Sequence, residues 1–180
     1  MSGSKWTSTS MPYLTPRAPG ATDAWTEEAA GSGRRGSQRI VHAGEVTAPP
    51  AVALMLGLPE QSIVVVRRRI IELDGAPTEL TDTYYPSAIA SGTPLSTTGK
   101  IRGGAVTLLA ALGHTGVRVV ENVTARMPGG PERGHLHLAE GEPVLQLSRT
   151  TYDARDRPIQ ADVMLMPATR QQLRYEIRIG

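Results

Sequence analysis

The chain has 180 residues, 39% of them hydrophobic, enough for one domain, and with no Phe the core falls to aliphatic side chains. The absence of Cys excludes a disulfide framework and thiolate metal sites, and without an apolar run near 18 residues or a secretory h-region the expectation is a cytoplasmic protein with no membrane span. A net charge of +2 does not by itself argue for nucleic acid, and the arginine excess (only Lys5 and Lys100 are lysines among 19 basic residues) fits a GC-rich coding sequence as well as it fits anion binding.

Residues 1–37 have the Ser, Thr, Gly and Pro content of a tail, yet they hold Trp6, Tyr13 and Trp25, three of the seven Trp and Tyr residues. "DAWTEEAAG" reads as a short helix capped by Thr22 or Asp23, with Glu27 and Glu28 in its first turns and Gly31 at its end. This predicts an arm that packs on a body starting at Gln38, with a loose loop from Ser32 to Gly36. In the body, "QRIVHAGEV" is strand-like and "PPAVALMLGL" is a short helix from proline to Gly57. "SIVVVRRRIIEL" is a long β-branched run, "DGAP" a turn, and "TELTDTYY" the returning strand. An apolar helix, "GGAVTLLAALG", precedes the alternating strand "VRVVENVTARM"; "GGPERGHLHL" is a loop with a helical turn or two. "PVLQLSRTTYD" and "IQADVMLM" form a second hairpin, "PATRQQL" a short helix or turn, and "RYEIRI" a last strand. Hairpins interleaved with isolated helices predict an α+β domain with a mostly antiparallel sheet.

Three arginines interrupt the third of these strands. Side chains alternate across a strand, so Arg67 and Arg69 share one face, roughly 7 Å apart, and Arg68 points to the other. A core face cannot hold an unpaired guanidinium. Two readings stand: a pocket in which the arginines grip a carboxylate or phosphate, or a solvated face with ion pairs to Glu72, Glu79 or Asp82. Other chemistry is thin. His135 and His137 have no third ligand nearby in sequence, so no metal site is expected, and no cofactor. "GSGRRG" lacks the ending of a phosphate loop. Met164 and Met166 alternate on a strand as core or pocket wall, with core favoured.

From Gln38 to the end the chain resembles the UTRA domain, the effector-sensing half of HutC-subfamily GntR transcription regulators. The resemblance is carried in order by "AVALMLGLPEQSIVVVRRR", "LDGAP", "TYYP", "ENVTARM" and "LAEGEPVLQLSRTTYD". It implies a chorismate-lyase-like α+β fold whose sheet and helices enclose a pocket for a small molecule, often an anionic metabolite. The family's Arg-x-Arg ahead of the Asp-Gly turn falls on Arg69 and Ile71, so the first is kept and Arg67 is the substitute on the same face. The family's acid before Tyr-x-Pro falls on Thr81, with Asp82 and Glu79 nearby. Tyr84 and Arg126 match pocket-lining positions, and Gln160 stands where the family often has Glu. The resemblance therefore implies a ligand site of Arg67, Arg69, Asp82, Tyr84, Arg126 and Gln160.

A HutC-type regulator begins with a winged helix-turn-helix, and the 37 residues before the body lack its pattern, so this chain alone is expected not to bind DNA in the family's way. Three functional classes follow: a small-molecule sensor domain, which is the leading reading; an enzyme of lyase or cyclase type with Glu79, Asp82, Tyr84 and Asp162 as acid/base groups; and a dimerisation partner for a full-length regulator. The resemblance also implies a homodimer through the body.

Overall fold

The computed structural model describes residues 5–18 and 21–177. Among these residues the strands are β1 (Trp6–Ser8), β2 (Gly36–Thr47), β3 (Ile63–Leu73), β4 (Ala76–Pro86), β5 (Arg118–Arg126), β6 (Val144–Tyr152), β7 (Pro158–Pro167) and β8 (Gln171–Leu173). The helices are α1 (Ala24–Gly31), α2 (Pro50–Leu56), α3 (Ser87–Ala90), α4 (Gly104–Ala111) and α5 (Gly130–His135). Six strands form one antiparallel sheet in the order β2-β3-β4-β7-β6-β5, the α+β architecture expected from the interleaved hairpins.

Local chemistry explains most boundaries. Proline opens α2, and Gly57, at φ 62°, closes it. The β3–β4 hairpin turns through Asp74 and Gly75 at φ 54° and 82°, which Asp-Gly adopts at low cost. Asp23, and not Thr22, caps α1: its Oδ1 accepts from the Thr26 amide at 3.0 Å.

The two ends of the chain depart from expectation. The stretch from Ser32 is no loose loop. Arg34 Nε and the Arg35 amide donate to the Asp74 carboxylate at 2.7 and 2.8 Å, tying it to the hairpin turn. β2 starts at Gly36, inside the expected arm, where a Cβ would stand 2.8 Å from Trp25 Nε1 and 2.9 Å from the Ala29 methyl. Near the C-terminus the strand lies at 171–173, where a helix or turn was expected, and it pairs in parallel with β1. Residues 174–177 have no regular structure, and 178–179 of the expected last strand lie outside the described residues. Parallel pairing with β1 satisfies this backbone where the six-stranded sheet does not reach it.

The sheet has two differently used faces. On one, Val64, Val66, Tyr84 and Ala161 pack with Val52, Ala53 and Leu56 of α2. On the other, Val65 and Tyr85 pack with Ala90, Leu95 and Leu109 from α3, the 94–96 turn and α4. Further along that second face, Ile71 and Leu73 are covered by Trp25 and Ala29 of α1, with Trp6 and Tyr13 against them. Trp6 meets Trp25 edge-to-face, ring centroids 5.3 Å apart, and the Trp25 indole donates to the Glu72 carbonyl at 3.0 Å.

Candidate functional site

Between α4 and the arm, the second face is not filled by side chains. A cavity of about 1040 Å³ lies over β3, β4, β7 and β6, bordered by residues from 8–17 and 21–26 on one side and from 98–106 on the other. Its floor is set by register. Arg67, Thr83, Asp162, Arg149 and Glu121 are successive cross-strand neighbours on β3, β4, β7, β6 and β5, and so share one face. The next row carries Arg69, Thr81, Met164 and Leu147.

The two arginines are used differently. Arg67, 4% exposed, spends its guanidinium on the backbone of the 94–99 segment: Nη1 donates to the carbonyls of Pro94 (3.0 Å), Leu95 (3.2 Å) and Thr97, and Nη2 to Gly99 (3.1 Å). Burial pulls its pKa below the usual guanidinium range. It pins the segment that leads to α4. Arg69 has no such commitment. Its Nη2 donates to Thr83 Oγ1 at 3.0 Å and its Nη1 to Gln38 at 3.4 Å, while its buried Nε has no partner. It enters no ion pair among the described residues.

Acceptors complete the floor. Thr83 passes its hydroxyl hydrogen to Asp162 Oδ1 at 2.7 Å, and Gln160 donates to Oδ2 at 2.8 Å. Asp162, 3% exposed, is thus held by neutral donors. The Thr81 hydroxyl donates to Glu79, whose carboxyl is pushed up by burial against the pull of that bond and of the Arg69 and Arg149 charges. Burial also pushes up the Tyr85 phenol at the α4 end of the floor. Arg149 is paired with Glu121 at 2.6 Å, and Ser10 of the arm joins both: it donates to Glu121 at 2.7 Å and accepts from Arg149 at 2.9 Å.

Of the expected ligand residues, Arg67, Arg69 and Gln160 border the cavity; Asp82, Tyr84 and Arg126 do not. Asp82 and Tyr84 face the α2 side, where the Arg68 Nε lies 3.2 Å from Asp82 and the Tyr84 hydroxyl donates to Asp82 at 3.1 Å. Burial, then the Asp82 charge, pushes Tyr84 up to about 12. The physical reason is a β-bulge. The tight turn pairs Leu73 with Ala76 and Glu72 with Pro77, but Ile71 pairs with Glu79, so Thr78 is an extra residue on β4. Had the turn's register continued unbroken, with Thr78 opposite Ile71, Asp82 would oppose Arg67 on the cavity face; one residue of slip inverts the parity of the whole strand. Arg126 ends β5 at the far edge of the sheet and clamps α5, with both Nη atoms on Glu132 at 2.7 and 2.8 Å. The four acid/base candidates are therefore split, Glu79 and Asp162 in the cavity, Asp82 and Tyr84 on the opposite face. Thr83, Tyr85 and Arg149 were missed. Alternation in "LQLSRTT" places Arg149 with Leu147, but only the register to β7 shows which face that is.

The UTRA domain model matches residues 31–172. An uncharacterized HTH-type transcriptional regulator of Streptomyces coelicolor is 30% identical over 154 residues, which cover 84% of this chain and 57% of that protein. The chain thus spans a little over half the length of this relative. The crystal structure of a GntR-family transcriptional regulator matches with a TM-score of 0.82 at 24% identity, over 100% of this chain and 72% of that one. The ligand-binding domain of a GntR-family regulator from Bordetella bronchiseptica matches with a TM-score of 0.69 at 26% identity, over 79% of this chain and 92% of that one.

Proposed function

The chain belongs to the UTRA domain family, and from that premise we propose that its cavity is the effector site of a HutC-type GntR regulator system, taking a small anionic metabolite in the cytoplasm. The observation that carries the reading is Arg69. It is a half-buried guanidinium bordering the 1040 Å³ cavity, its Nε has no hydrogen-bond partner, and it enters no direct ion pair among the described residues. An anion placed there gains charge-assisted hydrogen bonds. Thr83, Gln160 and Asp162 offer hydrogen-bonding partners beside it. Lys100 and Arg102 border the cavity from the opposite side and add to the positive field.

Arg67 acts as a structural support of the site, since its donors are spent on carbonyls. The enzyme reading keeps only Glu79 and Asp162 of its acid/base set in the cavity, which supports it less than the effector reading. A thermal-shift screen of anionic metabolites tests the effector reading. Ligands are expected to raise the Tm of the wild-type chain by several degrees through preferential binding to the folded state, and the same ligands are expected to leave Arg69→Gln unmoved. Ligands that stabilise both equally would refute the assignment.

The reading includes a homodimer. β5 is an edge strand of the sheet, and Val120 and Val123 on it are exposed, the kind of edge that proteins cover or pair. Light scattering is expected to give about twice 19.2 kDa at tens of micromolar; a monomer mass would refute this part.

A further inference from the structure

The cavity floor changes character along the strands. The row from Arg67 through Asp162 to Arg149 is polar, and its charges are largely committed: Arg67 to backbone carbonyls, Arg149 to Glu121. The next row has Arg69 on β3 but Met164 and Leu147 on β7 and β6. Beyond these the floor continues as Met166 and, from β8, Leu173. Leu147, Met164 and Met166 form one apolar cluster with Leu173 packed against it; the first three keep little exposed surface (2%, 7% and 1%), and all four border the cavity. Glu79 is one of the acids bordering the cavity. It accepts from Thr81, and burial pushes its carboxyl up.

Arg69 thus stands at a boundary, with hydrogen-bonding groups on one side and a thioether and aliphatic wall on the other. A wholly polar ligand uses the first side and makes no use of the second. Methionines are unbranched and polarisable, and they adapt to hydrocarbon of varied outline. We infer that the effector is an amphipathic anion, with an oxyanion group on Arg69 and a hydrocarbon part of several carbons lying on Leu147, Met164, Met166 and Leu173. This inference rests on the effector-site reading and names the class of molecule that the site takes.

The test is calorimetric titration of the wild-type chain with straight-chain monocarboxylates from butanoate to decanoate, with acetate and inorganic phosphate as head-group probes. Affinity is expected to rise about fourfold per added methylene, the transfer value for hydrocarbon leaving water, until the wall is covered. Arg69→Gln is expected to weaken decanoate on the order of a hundredfold, as for the loss of a desolvated charged contact. Met164→Gln is expected to flatten the chain-length ladder, and the wild-type ladder stands as evidence even if that variant fails to fold. Phosphate or acetate binding as tightly as decanoate, with loss in Arg69→Gln, would overturn the amphipathic claim and leave the effector site standing. A ladder unchanged in both folded variants would mean adsorption elsewhere and overturn both. No saturable binding of decanoate at millimolar concentration would overturn the amphipathic claim, because decanoate carries both groups that the claim invokes.

Discussion

The two faces of the β3–β4 hairpin carry the same residue types and use them in opposite ways. On the α2 face, Arg68 meets Asp82 directly at 3.2 Å, with 45% and 33% of their side chains exposed. On the cavity face, Arg69 and Asp162 are kept apart by Thr83, which links them through bonds of 3.0 and 2.7 Å. The first arrangement is a self-satisfied surface pair, worth about 0–1 kcal/mol. The second joins a cation and an acid only through a hydroxyl, and leaves Arg69 Nε without a hydrogen-bond partner. A site that waits for a ligand differs from a structural ion pair less in composition than in which donors are already used.

That contrast can be broken or sharpened by substitution. Arg67→Met keeps the stem volume but leaves the carbonyls of the 94–99 segment without their donor in a buried place; a loss of about 4 kcal/mol in unfolding free energy is expected from denaturant melts. Arg69→Gln is expected to leave stability within about 1 kcal/mol of wild type while removing about 3 kcal/mol of anion binding. Gly36→Ala drives a methyl into Trp25 and Ala29 and is expected to cost about 2 kcal/mol, read as a lower Tm together with a changed Trp25 emission. Glu79→Gln sharpens the pH behaviour. The Glu79 carboxyl is raised in the folded state, so its contribution is fully present below its unfolded pKa near 4.3 and is lost as pH rises through the folded value. The variant is therefore expected to melt higher than wild type at pH 7 and to match it near pH 4. Arg68→Ala has the smallest expected effect, under about 1 kcal/mol in stability and none in binding.

Much of this arrangement is legible in the sequence. Alternation alone separates Arg68 from Arg67 and Arg69, and the Asp-Gly turn fixes the hairpin. Asp23 is one of the two caps that the sequence offers for α1, and the Gly57 stop and the two hairpins follow from propensity and punctuation. The face of Asp82 and Tyr84 does not. It depends on the single extra residue Thr78, and a bulge has no signature in "GAPTELT" that distinguishes it from a regular strand. The difference between Arg67 and Arg69 is also invisible in sequence, because it is made by carbonyls of residues 94–99, some thirty positions away. Arg126 shows the reverse case: its place in a matching motif is real, but Glu132, six residues on, claims it for α5.

The most direct test of the central claim titrates the wild-type chain, Arg69→Gln and Arg68→Gln with the most stabilising anion from the thermal screen, under one buffer and salt concentration. The account predicts binding reduced on the order of a hundredfold in Arg69→Gln and unchanged within about twofold in Arg68→Gln. Equal losses at the two positions, or a larger loss at Arg68, would contradict it and put the effector on the other face of the sheet.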